Sequence, residues 1–125
     1  AENYSVFELG DNYLTKNSKK VSTILNENNY SDEDCILIIR TILSKSKRLL
    51  KIRNEIDNNT NIDQVISGFK PPIFWKEKDI VKKQAQSWTT KEIKEIIYKV
   101  NNLEVLVKKN STNSMLFVSN FVSNY

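Results

Sequence analysis

The sequence contains no histidine, one cysteine, one methionine, two glycines and two prolines in 125 residues. Each shortage excludes something. Without histidine the chain lacks the commonest general base and the commonest metal ligand at neutral pH. Cys35 alone forms no internal disulfide, and with no histidine beside it no zinc site of the ordinary type can be assembled. It suits a reducing compartment, or simply a small apolar core position. Gly10 and Gly68 lie too far apart for a glycine-rich phosphate loop. A sandwich or barrel needs many tight turns, so the scarcity of glycine and proline leans toward helices. No run of about 18 apolar residues is present, so nothing reads as a membrane span. The opening Ala1-Glu2-Asn3-Tyr4 has neither a basic leader nor an apolar core and does not read as a signal peptide. It lacks an initiator methionine and enters a helical pattern almost at once, as a domain cut from a longer chain would, or equally a processed N-terminus.

What is present is an ordinary globular balance, 39% apolar and 27% charged, in a length that fits one domain over residues 1–125. Nineteen Lys and Arg against fifteen Asp and Glu give a formal charge of +4. That permits contact with nucleic acid without demanding it, since a surplus of Lys, Asn and Ile is also what an AT-rich genome encodes.

The apolar residues recur at helical spacing almost throughout. Ser5 and Glu8 form a capping-box pattern ahead of Val6, Leu9, Tyr13 and Leu14. After a turn near Asn17, a short helix is marked by Val21, Ile24 and Leu25. Ser31 caps the longest element, with Asp32, Glu33 and Asp34 in its first turn, where the helix dipole favours negative charge. Cys35, Ile38, Ile39, Ile42, Leu43, Leu49, Leu50 and Ile56 keep to one face, and the pattern predicts a helix from Asp32 to about Glu55. A short helix follows with Ile62, Val65 and Ile66, capped by Asn61 and closed by Gly68 in the left-handed conformation. Pro71 should hold Lys70 extended and Pro72 can open a helix over roughly 75–87. Thr89 and Glu92 form a second capping box before Ile93, Ile96, Ile97, Val100, Leu103 and Leu106. A last helix carries Met115, Leu116, Val118, Phe121 and Val122. The reading is all-α, a bundle of six to seven helices, with no convincing strand.

No catalytic constellation stands out. The acidic run at Asp32 to Asp34 is explained by its place at a helix start. Serines and lysines are plentiful but come without a base and an orienting partner. A binding or scaffolding role with no cofactor and no catalytic residue is the expectation.

The most unusual stretch is Lys70-Pro71-Pro72-Ile73-Phe74-Trp75-Lys76-Glu77-Lys78. Its plain reading is a plug in which Ile73 and Phe74 tuck into the bundle. A functional reading leaves Trp75 exposed beside Lys76, Lys78, Lys82 and Lys83, an aromatic and basic surface able to stack on a base or hold a phosphate backbone. A second basic group, Lys45, Lys47, Arg48, Lys51 and Arg53, lies on the long helix; it reads first as a solvated face, with phosphate contact as the alternative.

This order of elements resembles the C-terminal domain of the delta subunit of the bacterial DNA polymerase III clamp loader. The resemblance runs from about Tyr4 to Tyr125. It rests on the opening helix pair from Val6 to Leu25, and on the run Ile36 to Ile52 with Arg40 and Lys47-Arg48-Leu49-Leu50. Its most specific piece is Lys70-Pro71-Pro72-Ile73-Phe74-Trp75-Lys76; Ser87-Trp88-Thr89 and Leu106-Val107-Lys108-Lys109 fit the same order. The chain departs from the family in its richness in Asn and Lys.

The resemblance implies a helical collar module, one of five that form a ring and hold the loader together as a hetero-pentamer. The complex would use ATP bound by other subunits to open a sliding clamp and place it on primed DNA in the cytoplasm. The clamp would be gripped through the delta N-terminal domain, not through this segment. A collar module needs apolar faces on more than one side, and large apolar groups off the core stripe are candidate interface anchors: Leu37 and Ile52 on the long helix, Phe117, Phe121 and Tyr125 at the end. The same residues would also suit a broad core stripe. The competing readings are a free-standing basic helical nucleic-acid-binding domain and a regulatory adaptor without nucleic-acid contact.

Overall fold

Polar side chains at the helix starts set the frame. The Ser31 hydroxyl accepts the Asp34 amide at 3.1 Å while the Asp34 carboxylate accepts the Ser31 amide at 2.9 Å. Thr89 and Glu92 repeat the arrangement at 3.1 and 2.8 Å. The Asn61 side chain accepts from the amides of Asp63 and Gln64, and Asn17 from that of Lys20. Each device satisfies amides that a helix start leaves without partners.

The computed structural model describes residues 2–58 and 61–124. Among them are seven α-helices and no strand: α1 Glu2–Leu14, α2 Ser18–Glu27, α3 Asp32–Asp57, α4 Ile62–Gly68, α5 Lys78–Ser87, α6 Thr90–Lys109 and α7 Ser114–Val122. Short 3-10 turns at Trp75–Glu77 and Ser111–Asn113 precede α5 and α7. None of these helices is long and apolar enough to cross a membrane.

The long helix α3 is the strut. It packs most extensively on α6, then on α1, and also meets α7, α4 and α5. Ile38, Ile39, Ile42, Leu49 and Ile52 of α3 are fully buried against Leu9 and Leu14 of α1 and Ile93 and Val100 of α6 in one core. At this burial, truncating any of these isoleucines to alanine would cost about 2–5 kcal/mol. Trp88, between α5 and α6, closes the far side: its indole N–H donates to the Leu14 carbonyl at 2.7 Å, satisfying one of the last carbonyls of α1.

Several sequence expectations need correction. Ser5 does not cap α1, because the helix already runs from Glu2; its hydroxyl instead accepts the Tyr30 phenol at 3.2 Å. Gly68 has no positive φ and is the last residue of α4; the chain leaves the helix through an extended Phe69 whose ring is buried. Pro72 does not open a helix, since residues 72–74 are irregular and the expected 75–87 helix is split into a 3-10 turn and α5. Leu106 is 44% exposed, whereas Val107 is 2% exposed. The buried stripe of α6 therefore runs through 93, 96, 100, 103 and 107, in steps of three and four that hold one face.

Candidate functional site

The connection after α4 carries the aromatic tip. Ile73 is buried, as the plug reading required, but Phe74 is not: it is 55% exposed and Trp75 is 69% exposed. The two rings meet at 5.9 Å, tilted by 57°. A buried Ile73 followed by the 3-10 turn sends the next two side chains outward. The Lys76 ammonium lies 5.3 Å from the centre of the Trp75 ring, a cation–π arrangement. Immediately beyond, the 3-10 turn runs into α5, where the Trp75 carbonyl accepts the Lys78 amide, and the positive end of the helix dipole lies beside Lys76 and Lys78.

The five nucleic-acid candidates do not behave as one group. Trp75 and Lys76 form the tip, and Lys78 follows, half-buried, in the first turn of α5. Lys82 is drawn to Asp63 of α4 at 2.9 Å and stitches those two helices. Lys83 is exposed one turn further along α5.

The basic residues of α3 also divide. Lys45 is paired with Asp11 of α1 at 2.9 Å. Arg53 holds Asp57 at 3.1 Å and donates to the Ala85 carbonyl at 2.9 Å. Both are structural ties. Arg48 reaches Glu77 at 3.6 Å, which anchors the aromatic tip to the middle of α3. Arg40 approaches Glu104 of α6 at 3.9 Å. Hydrogen bonding from Lys108, with the charges of Lys108 and Arg40, holds the Glu104 carboxyl below its ordinary range.

Among the expected interface anchors, Ile52 is overturned: it has no exposure and belongs to the core. Packing by α4 and α5 as well as α6 widens the buried arc of α3, so a position off the main stripe still faces a neighbour. Leu37, Phe117 and Phe121 are half-buried against the core, with Phe121 packed on Tyr13 at 5.2 Å. Tyr125 lies outside the described residues.

Other exposed apolar groups lie on α6 and α7, outside the expected interface anchors. Tyr98 is 70% exposed and Val105 51%, both on the side of α6 away from its buried stripe. Their spacing of seven was the signal: two apolar residues in register with each other but out of register with Ile93, Ile96 and Val100. Leu116 of α7 is 68% exposed. Tyr98 stands in an open depression of about 630 Å³ bordered by Lys91, Lys94, Glu95 and Lys99. Among the described residues no group of three or more Cys, Asp or Glu side chains gathers closely enough to hold a metal ion.

Fold and surface together define a helical-bundle domain whose free side chains offer apolar and basic contact surfaces. Residues 3–125 match the family model described as DNA polymerase III delta subunit, C-terminal domain. The chain belongs to that family, a component of the clamp loader. No curated protein and no solved structure matches it.

Proposed function

We propose that residues 1–125 act as a single oligomerisation module, the collar domain through which the delta subunit is held to its neighbours in the loader pentamer. The observation that carries this reading is the outer face of α6. Tyr98 and Val105 stand exposed on a helix whose opposite side is fully committed to the core, as expected of a helix that packs on two partners. Leu116 on α7 adds a further apolar contact, and the half-buried Leu37 and Phe117 would lie at the margins. The domain serves as a cytoplasmic binding element; ATP and the sliding clamp are handled by other subunits and by other parts of delta.

The test mixes the domain with the remaining loader subunits and follows assembly by size exclusion with light scattering. Entry into the pentamer supports the reading. Exclusion from a mixture of folded partners refutes it.

A second role is favoured by the exposed Phe74 and Trp75 rings with Lys76 beside them: contact with primed DNA in the assembled loader. Trp75→Ala should weaken binding of the loader to primed DNA by roughly tenfold, in line with about 1–3 kcal/mol per stacked base. Unchanged affinity across a salt titration would remove this role.

A further inference from the structure

Two open grooves flank the row Arg40, Ser44 and Arg48 on α3, which contributes to the walls of both. One, of about 340 Å³, lies toward Phe7 and Lys45; the other, of about 460 Å³, is bounded by Lys47, Lys51 and Lys70. No acidic residue lines either one. Lys45 is neutralised by Asp11, while Arg40 and Arg48 have acids only at 3.9 and 3.6 Å. Lys47, Lys51 and Lys70 have no acid within 4 Å among the described residues. Positive charge so concentrated repels itself until an anionic partner arrives.

The floor decides which anion fits. It is made by Leu43, Phe69 and Pro71, and Phe69 is only 8% exposed. The second groove, a trough beside α3, therefore offers an apolar seat and no open aromatic face of its own on which a nucleobase could stack, unlike the first, where Phe7 is 49% exposed. From Arg40 to Lys51 the helix rises about 16 Å, the length of roughly five residues of extended peptide.

We propose that this trough binds an acidic peptide segment of a partner protein. Its carboxylates pair with Lys47, Lys51 and Lys70, and one large apolar side chain sits on Leu43, Phe69 and Pro71. The proposal goes beyond the oligomerisation reading and does not depend on it, because none of these residues lies on α6 or α7.

The experiment uses the full chain and a fluorescein-labelled peptide of aspartates flanking a central phenylalanine, read by fluorescence anisotropy. Saturable binding is expected, weakened roughly tenfold by Lys47→Glu or Lys51→Glu. Replacing the peptide's phenylalanine with serine should weaken it comparably. Both lysines are exposed, so the variants should fold, and circular dichroism run alongside checks that they do. If an oligothymidylate of equal charge binds more tightly and is the ligand lost on Lys51→Glu, the trough is a nucleic-acid groove and the proposal falls. It falls equally if neither probe binds, or if peptide binding ignores the lysine substitutions or the loss of the phenylalanine.

Discussion

Tyr98→Ala tests the assembly reading most directly. The side chain is 70% exposed on the outer face of α6. A covered tyrosine buries about 150–250 Å², so closing a neighbour over this one would remove about 140 Å² from water. At about 25 cal/mol per Å² that is worth about 3.5 kcal/mol at most. The hydroxyl and the ordering of the ring at the interface offset about 1–1.5 kcal/mol of it. The net loss on truncation is then about 2 kcal/mol, a weakening of assembly by about thirtyfold. The domain itself should be unaffected or slightly stabilised, because the ring touches little within the bundle and alanine is the better helix former. Val105→Asp, on the same face, should weaken assembly comparably by placing a charge in an apolar contact. The assay is a titration of each variant into the remaining loader subunits, with assembly read by light scattering. Melting curves run alongside. If both variants fold normally and assemble with the affinity of the parent chain, the outer face of α6 is not an interface and the argument from its exposed residues is wrong.

Trp88→Phe removes the indole donor from the Leu14 carbonyl and should cost about 1–3 kcal/mol, measurable as a lower urea midpoint without a change in slope; an unchanged midpoint would show that water replaces the bond. The Glu104 carboxyl is held below its ordinary value, so its contribution is fully present above the unfolded-state value near 4.5 and is lost as pH falls through the lower folded value. Glu104→Gln should therefore flatten the acid side of the stability curve and leave its slope near neutrality unchanged; an identical acid slope in both chains would refute the linkage. Burial, with Asp32 and Asp34 nearby, pushes the Cys35 thiol up to about 11. A disulfide reagent at neutral pH should react with it only as the domain opens, at a rate that follows global stability; prompt reaction in the folded state would contradict the buried placement.

Much of the fold was legible because its signals are local. Ser31 with Asp34 and Thr89 with Glu92 state where α3 and α6 begin, and the structure shows both reciprocal hydrogen bonds. Residue patterns failed where the outcome depends on what lies across the bundle. A helical stripe gives one buried direction, but α3 meets five other helices, so Ile52 was mistaken for a surface anchor. Ser5 and Glu8 carry the same capping signal as the true starts, yet the helix extends upstream of them. The positive charges were all visible in sequence, but their partners were not. Lys45 with Asp11 and Lys82 with Asp63 are ties between helices that only the tertiary structure brings together. Once those are assigned, Trp75 and Lys76 remain as an exposed tip, and Lys47, Lys51 and Lys70 as free charge.

The two contact surfaces are physically separable, and this gives the functional reading its sharpest form. Tyr98 projects from the side of α6 away from its core stripe, whereas the Trp75 tip is tied to α3 through Arg48 and Glu77. The two surfaces belong to different elements with no side chain in common, so each can be substituted without touching the other. On the proposed function, one face would hold the neighbouring subunits and the other would meet the polyanion. Tyr98→Ala should then lose assembly while its own folded core stays intact, and Trp75→Ala should assemble normally while the loader's affinity for primed DNA falls. A single variant that abolished both functions without unfolding would mean that the surfaces are coupled, and that the bundle changes shape when it assembles.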